Sequence, residues 1–182
     1  MKKFTKKKPQ KYKTIWKIIL KTFKLSKIEK SLFGGIFFFA ILSAWLLEKK
    51  FDKNLIDGFG HQSFVELLCH NLFIQLSIIL GGFTFGTLSF LILFINIFMI
   101  SAIVLTLYKV VPILELLIIV PHGIFELLAF IVSFKVMATI VYFIIKKIKG
   151  EKDNFDFLCL LVRLSLMLLL LVLAAFIEIN IY

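Results

Sequence analysis

Few residues in this chain are of a type that does chemistry, and they sit in unexpected company. The stretch "IIVPHGIFELLAFIV", residues 118 to 132, places Pro121, His122, Gly123 and Glu126 in an apolar run. His122 and Glu126 are four residues apart, so a helix puts them on one face about a turn from each other. The sequence "ELLCH" repeats the spacing with Glu66 and His70. An imidazole beside a carboxylate can form a structural hydrogen bond, relay a proton or ion, or hold a metal. Convergence of Glu66, His70, His122 and Glu126 would make a metal or acid–base site, although no HExxH zinc motif is present. All three readings stand on the residues alone. Further polar residues interrupt apolar runs at Asn71, Gln75, Asn96, Lys135, Arg163 and Glu178. A charge at the centre of a membrane helix costs about 2.5–3.5 kcal/mol on translocon scales, so such groups face a bundle interior and pair. Lys135 and Arg163 have the second option of reaching toward an interface.

The elements that must position these residues follow from composition. Of the 182 residues 60% are hydrophobic, and 22 are Phe. Soluble domains are about 45–50% apolar. The excess lies in long blocks, and a membrane span needs roughly 20 apolar residues. Lipid offers no partner to a free backbone amide, so the blocks form helices. The fold class is therefore all-α, a polytopic membrane helix bundle. Spans are expected at about 31–47, 66–84, 86–108, 122–145 and 155–179. Pro112 and Pro121 divide the run from 110 to 145, which predicts a short broken or re-entrant helix over 110–120. Pro121 then sits in the first turn of the next span, where its missing N–H is harmless. His122 would lie at that helix's positive end, and Gly123 would admit a neighbouring backbone.

The net charge of +11 is concentrated at the front, where residues 1 to 30 hold twelve lysines against Glu29. Residues 1–30 form one region, a basic tail and an amphipathic interfacial helix, and residues 31–182 form the membrane domain. Over residues 12–28, Tyr12, Ile15, Trp16, Ile19 and Phe23 share one face and Lys13, Lys17, Lys21 and Lys24 the other. That pattern fits a helix lying in the interface of an anionic leaflet, each lysine contributing roughly 1 kcal/mol. A coupling surface for a partner protein is the competing reading. Trp16, Phe23, Lys13, Lys17 and Lys21 are the candidate lipid-interface residues. Lysines at 146, 147, 149 and 152 mark a cytoplasmic turn, and the stretch 48–65 falls outside. The N-terminus is thus expected in the cytoplasm, in a multi-pass protein of the cell membrane. No cleavage site follows the basic segment, so the first span is read as retained.

Several classes find no support. "GGFTFG" lacks the Lys-Ser/Thr of a phosphate loop and follows no strand, so close helix packing explains it better. No Ser-His-Asp pattern, no cysteine beside a histidine and no nucleic-acid module is present. Cys69 and Cys159 have no motif spacing and read as small core residues. No cofactor is implied, and an enzyme is the less favoured class.

The segment "PHGIFELLAF" resembles the signature of the stage II sporulation protein M family, with Pro121, His122, Gly123, Glu126 and Ala129 in register. "HNLFIQLSIILGGFTFGTLSFLILFIN" is similar to the family's earlier paired spans, with Asn71, Gly82, Gly86 and Asn96 at polar and small positions. "LAAFIEI" resembles its closing segment, with Glu178 as the acid. The resemblance covers about residues 31–182. Leu128, Ile97, Ser101 and Lys135 depart from the usual pattern. The resemblance implies a non-enzymatic part of a membrane complex, of the engulfment or cell-envelope remodelling type. Its alternative is maturation, export or immunity for a circular bacteriocin, working with an ABC-type ATPase. Implied partners are anionic lipid, a cell-wall hydrolase complex or an ATPase, and a second copy of the chain.

Overall fold

The computed structural model describes residues 10–47, 63–110, 113–151 and 155–181. The expected loop at 48–65 lies almost wholly outside them, as do the basic tail before residue 10 and Lys152. Helices account for nearly all the described residues: α1 (Gln10–Thr22), α2 (Lys27–Leu47), α3 (Phe64–Leu80), α4 (Thr87–Val110), α5 (Ile113–Ile148) and α6 (Phe157–Ile181). Five segments are long and apolar enough to cross a membrane: Lys27–Leu47, Phe64–Thr84, Thr87–Lys109, His122–Ile148 and Phe157–Asn180. Large apolar side chains remain exposed along all of them, including Phe38, Trp45, Phe73, Leu91 and Phe176. That outward surface suits lipid, which is as apolar as the side chains themselves.

Two helix starts are fixed by capping boxes. Ser26 N–H donates to Glu29 Oε2 at 2.6 Å, and Glu29 N–H donates back to Ser26 Oγ at 3.3 Å. Ser63 and Glu66 repeat the motif at α3. Each box satisfies two otherwise orphaned N–H donors. Accordingly α1 stops at Thr22 instead of running to 28, and the first span begins at Lys27 rather than 31.

Between α3 and α4 the chain reverses through a 3₁₀ turn, Gly81–Thr84. Phe85 and Gly86 follow with φ of 53° and 87°, and Gly86 occupies the left-handed region that glycine enters at no steric cost. A Cβ on Gly81 would come within 2.6 Å of Ser89 N, and one on Gly82 within 3.3 Å of Met137 O. Ser89 Oγ donates to Ile78 O at 2.6 Å across the same turn. These glycines let the hairpin close and lie against α5.

The central element is α5. Phe130, Phe134 and Met137 pack with Ala40, Ile78, Leu93 and Ile97. Ala129, Val132 and Val136 pack with Ile79, Met167, Leu170 and Leu171. The spacing of three and four places each set on its own face of the helix, so α5 is gripped from two sides. It runs antiparallel to α6, with His122 near Glu178, Ser133 bonded to Met167, Thr139 to Arg163 and Phe143 against Phe155.

Three expectations are corrected here. α5 is continuous through Pro121 for 36 residues, roughly 54 Å at 1.5 Å per residue. No break starts a new helix at Pro121, so His122 does not sit at a helix N-terminus. Proline inside a membrane helix is tolerated because neighbouring groups resatisfy the freed carbonyl. Gly123 is corrected too, for no described neighbouring helix comes within 4 Å of where its Cβ would stand. Cys69 is exposed instead of forming part of the core, and Cys159 is half-buried; neither is in a disulfide.

Candidate functional site

The packing of α3, α5 and α6 brings four of the singled-out residues together. Glu126 Oε1 accepts a hydrogen bond from Asn71 Nδ2 on α3 at 2.5 Å. Glu126 Oε2 faces the other way and lies 3.9 Å from His122 Nε2. The same Nε2 is 3.8 Å from Glu178 Oε2 on α6. Side-chain exposure is 20% for His122, 13% for Glu126 and 18% for Glu178. The two oxygens of one carboxylate thus serve two helices, and the imidazole stands between two acids.

Local structure explains the placement. His122 and Glu126 share a face of α5 by their spacing. Ala129 and Val132, fully buried, continue down the helix and seat it against α3 and α6. Glu178 comes near the end of α6, and the antiparallel register sets it opposite the early turns of the α5 span. One turn after Asn71, Gln75 is 1% exposed and its Oε1 has no hydrogen-bond partner among the described residues. The i, i+4 relation puts Gln75 on Asn71's face.

Other candidates fall elsewhere. Asn96 does not join the cluster; its Nδ2 donates to Ile92 O at 2.8 Å on its own helix. Glu66 caps α3 through Ser63, and both Glu66 and His70 are exposed. The grouping of those two with His122 and Glu126 as metal ligands is therefore replaced. Among the described residues, the convergent ligand-type set is His122, Glu126 and Glu178, whose ligand atoms all lie within 4.8 Å of one another.

A second polar tier lies nine residues along α5, roughly 14 Å from Glu126. Lys135 Nζ donates to both carboxylate oxygens of Glu29, at 2.7 and 2.5 Å. Arg163, 5% exposed, donates to Thr139 Oγ1 at 2.7 Å and to Thr22 Oγ1 at 3.4 Å. Neither cation reaches for an interface; each bonds inside the bundle. This tier ties α1 and the first turn of α2 to α5 and α6. The partners Thr22 and Glu29 lay in the basic front region, which is why reading the spans alone missed them.

A family model described as Stage II sporulation protein M matches residues 31–181. The chain belongs to the stage II sporulation protein M family. It is also 34% identical to an uncharacterized protein of Methanocaldococcus jannaschii, over 82% of this chain and 89% of the relative. No solved structure gives a significant match. With its five span-length apolar helices, this member of the family is a multi-pass membrane protein.

The front region is more divided than its helical wheel predicts. Thr22 is buried against Arg163, while Ile15, Ile18 and Ile19 are half-buried. Trp16, Leu20 and Phe23 point outward, exposed to 62%, 58% and 38%. Lys17 and Lys21 are exposed as well; the side chain of Lys13 lies outside the described set. One side of α1 holds the bundle, and an aromatic stripe flanked by lysines remains outside.

Proposed function

We propose that this protein is a non-enzymatic assembly partner in a membrane complex that remodels the cell envelope. The observation that carries the reading is the use of its intramembrane polar groups. Asn71, Glu126, His122 and Glu178 face one another across three helices, and Lys135, Glu29, Arg163, Thr22 and Thr139 do so across four. Polar groups paired in this way fix helix order and register. They leave an apolar outer surface and a basic, aromatic front helix as the parts free to meet other molecules. In this reading the N-terminus is cytoplasmic, α1 rests on the anionic leaflet, and the His122 tier lies toward the outer face.

The test is isolation of the tagged full chain from its own membranes after cross-linking in intact cells. The assembly reading expects a stable complex containing cell-wall hydrolases. It also expects any Glu126→Gln variant that reaches the membrane at wild-type level to complement a deletion. A complex with an ABC-type ATPase and a small apolar peptide would support the circular-bacteriocin role instead. A Gln variant present at normal level but inactive would count against a purely structural pair and show that the ionisable carboxylate is needed, as a proton carrier or as a metal ligand.

A further inference from the structure

We propose that His122 Nε2, one oxygen of Glu126 and one oxygen of Glu178 form a binding site for a divalent transition-metal ion of the zinc class. Asn71 acts as the positioning residue for Glu126. The proposal is independent of the assembly role, since binding is read on the purified chain without partners.

Geometry comes first. Zinc binds imidazole nitrogen and carboxylate oxygen at about 2.0–2.2 Å in a tetrahedron. Ligand atoms around such an ion are roughly 3.3–3.5 Å apart, by the same bond lengths and the tetrahedral angle. The two His–Glu separations are 3.9 and 3.8 Å, about half an ångström wider, and no pair in the set is more than 4.8 Å apart. Terminal carboxylate torsions are broad and soft, so a small rotation of Glu126 and Glu178 closes the set. Three protein ligands leave a fourth position for water or a substrate oxygen.

Charge is the second argument. Two carboxyl groups held within 4.8 Å, in side chains 13–18% exposed, cannot both carry charge in an apolar bundle without a cation beside them. A dication with neutral imidazole and two carboxylates sums to zero, the state a low-dielectric interior favours. Magnesium and calcium fit less well, since they take oxygen ligands in six- to eightfold shells, whereas imidazole suits zinc and its neighbours.

The surroundings are built as metal sites are. Asn71 holds Glu126 Oε1, leaving Oε2 turned toward His122. Such outer partners orient ligands, and their loss costs about 10–100-fold in metal affinity. The buried Oε1 of Gln75 continues the polar face of α3. The ion would join α5 to α6 directly and α3 through Asn71.

The experiment uses the full chain, purified in detergent, treated with chelator and titrated with Zn²⁺ alone. About one ion per chain is expected, with X-ray absorption placing only nitrogen and oxygen at about 2.0–2.2 Å. His122→Asn and Glu178→Gln should each weaken binding by roughly 100-fold or more, and Asn71→Ala by about 10–100-fold. His70→Ala should bind as wild type, because His70 is exposed outside the set. Size-exclusion profiles identify variants that fold. Unchanged binding in folded His122→Asn, a sulfur shell near 2.3 Å, or no saturable binding up to millimolar Zn²⁺ would each overturn the proposal.

Discussion

The pair between Lys135 and Glu29 is the most direct place to test how this bundle is held. Lys135→Met keeps most of the side chain's volume and removes the charge. Glu29 is then left with its carboxylate 16% exposed and without the donors at 2.7 and 2.5 Å. Two unit charges at 2.7 Å attract by roughly 6 kcal/mol at an effective dielectric of 20. Desolvation of both groups cancels part of that. Ser26 still donates to Glu29, which softens the loss further. The expected cost of the single change is therefore about 2–4 kcal/mol, toward the lower end of the range for breaking a buried pair. Glu29→Gln should cost a similar amount by stranding Lys135. The double variant removes both charges and should recover much of the loss, since neither ion is left unpaired. A double-mutant cycle on thermal or steric-trap unfolding in detergent gives the coupling directly. If the double variant is as unstable as the sum of the two singles, the pair contributes no coupling, and the argument that it fixes α2 to α5 fails.

The remaining predictions concern other parts of the chain. In a chain lacking Cys69 and Cys159, a cysteine at position 57 should react with an impermeant reagent in intact cells and one at position 150 should not; the reverse pattern contradicts a cytoplasmic N-terminus. With Trp45→Phe leaving Trp16 as the reporter, Trp16 fluorescence should shift to the blue in anionic nanodiscs and return toward its neutral-lipid value as salt rises; identical spectra in neutral and anionic lipid would remove the electrostatic role of the front lysines. Gly81→Ala should destabilise the protein by about 1–3 kcal/mol, because its new Cβ meets Ser89 backbone at 2.6 Å. Gly34→Ala should be neutral or slightly stabilising, as nothing described lies within 4 Å of its Cβ, and a matching loss at both positions would refute the close-packed turn.

What the sequence determined by itself is a matter of length and solvent. Uninterrupted apolar blocks, the lysine-rich front and the Gly81–Gly86 reversal specify membrane helices and their approximate ends, since lipid admits little else for a single chain. The spacing of His122 and Glu126 also fixes a shared face, because helical geometry is local. The capping pairs Ser26–Glu29 and Ser63–Glu66, which a reading of apolar blocks passes over, set the true starts of α2 and α3. Local pattern misled at Pro121, where proline rules for water predict an end that the membrane helix does not make. The choice of partners belonged to the tertiary structure. Nothing in the spacing of residues 71, 126 and 178 selects Asn71 and Glu178 over Asn96, or Glu29 over lipid headgroups as the partner of Lys135. That selection follows from the antiparallel register of α5 on α6 and the seating of α3 on α5, set by Ala129, Val132, Phe134 and the glycines of the turn. Side-chain pairing between distant segments is a property of packing, and packing is decided by all the helices at once.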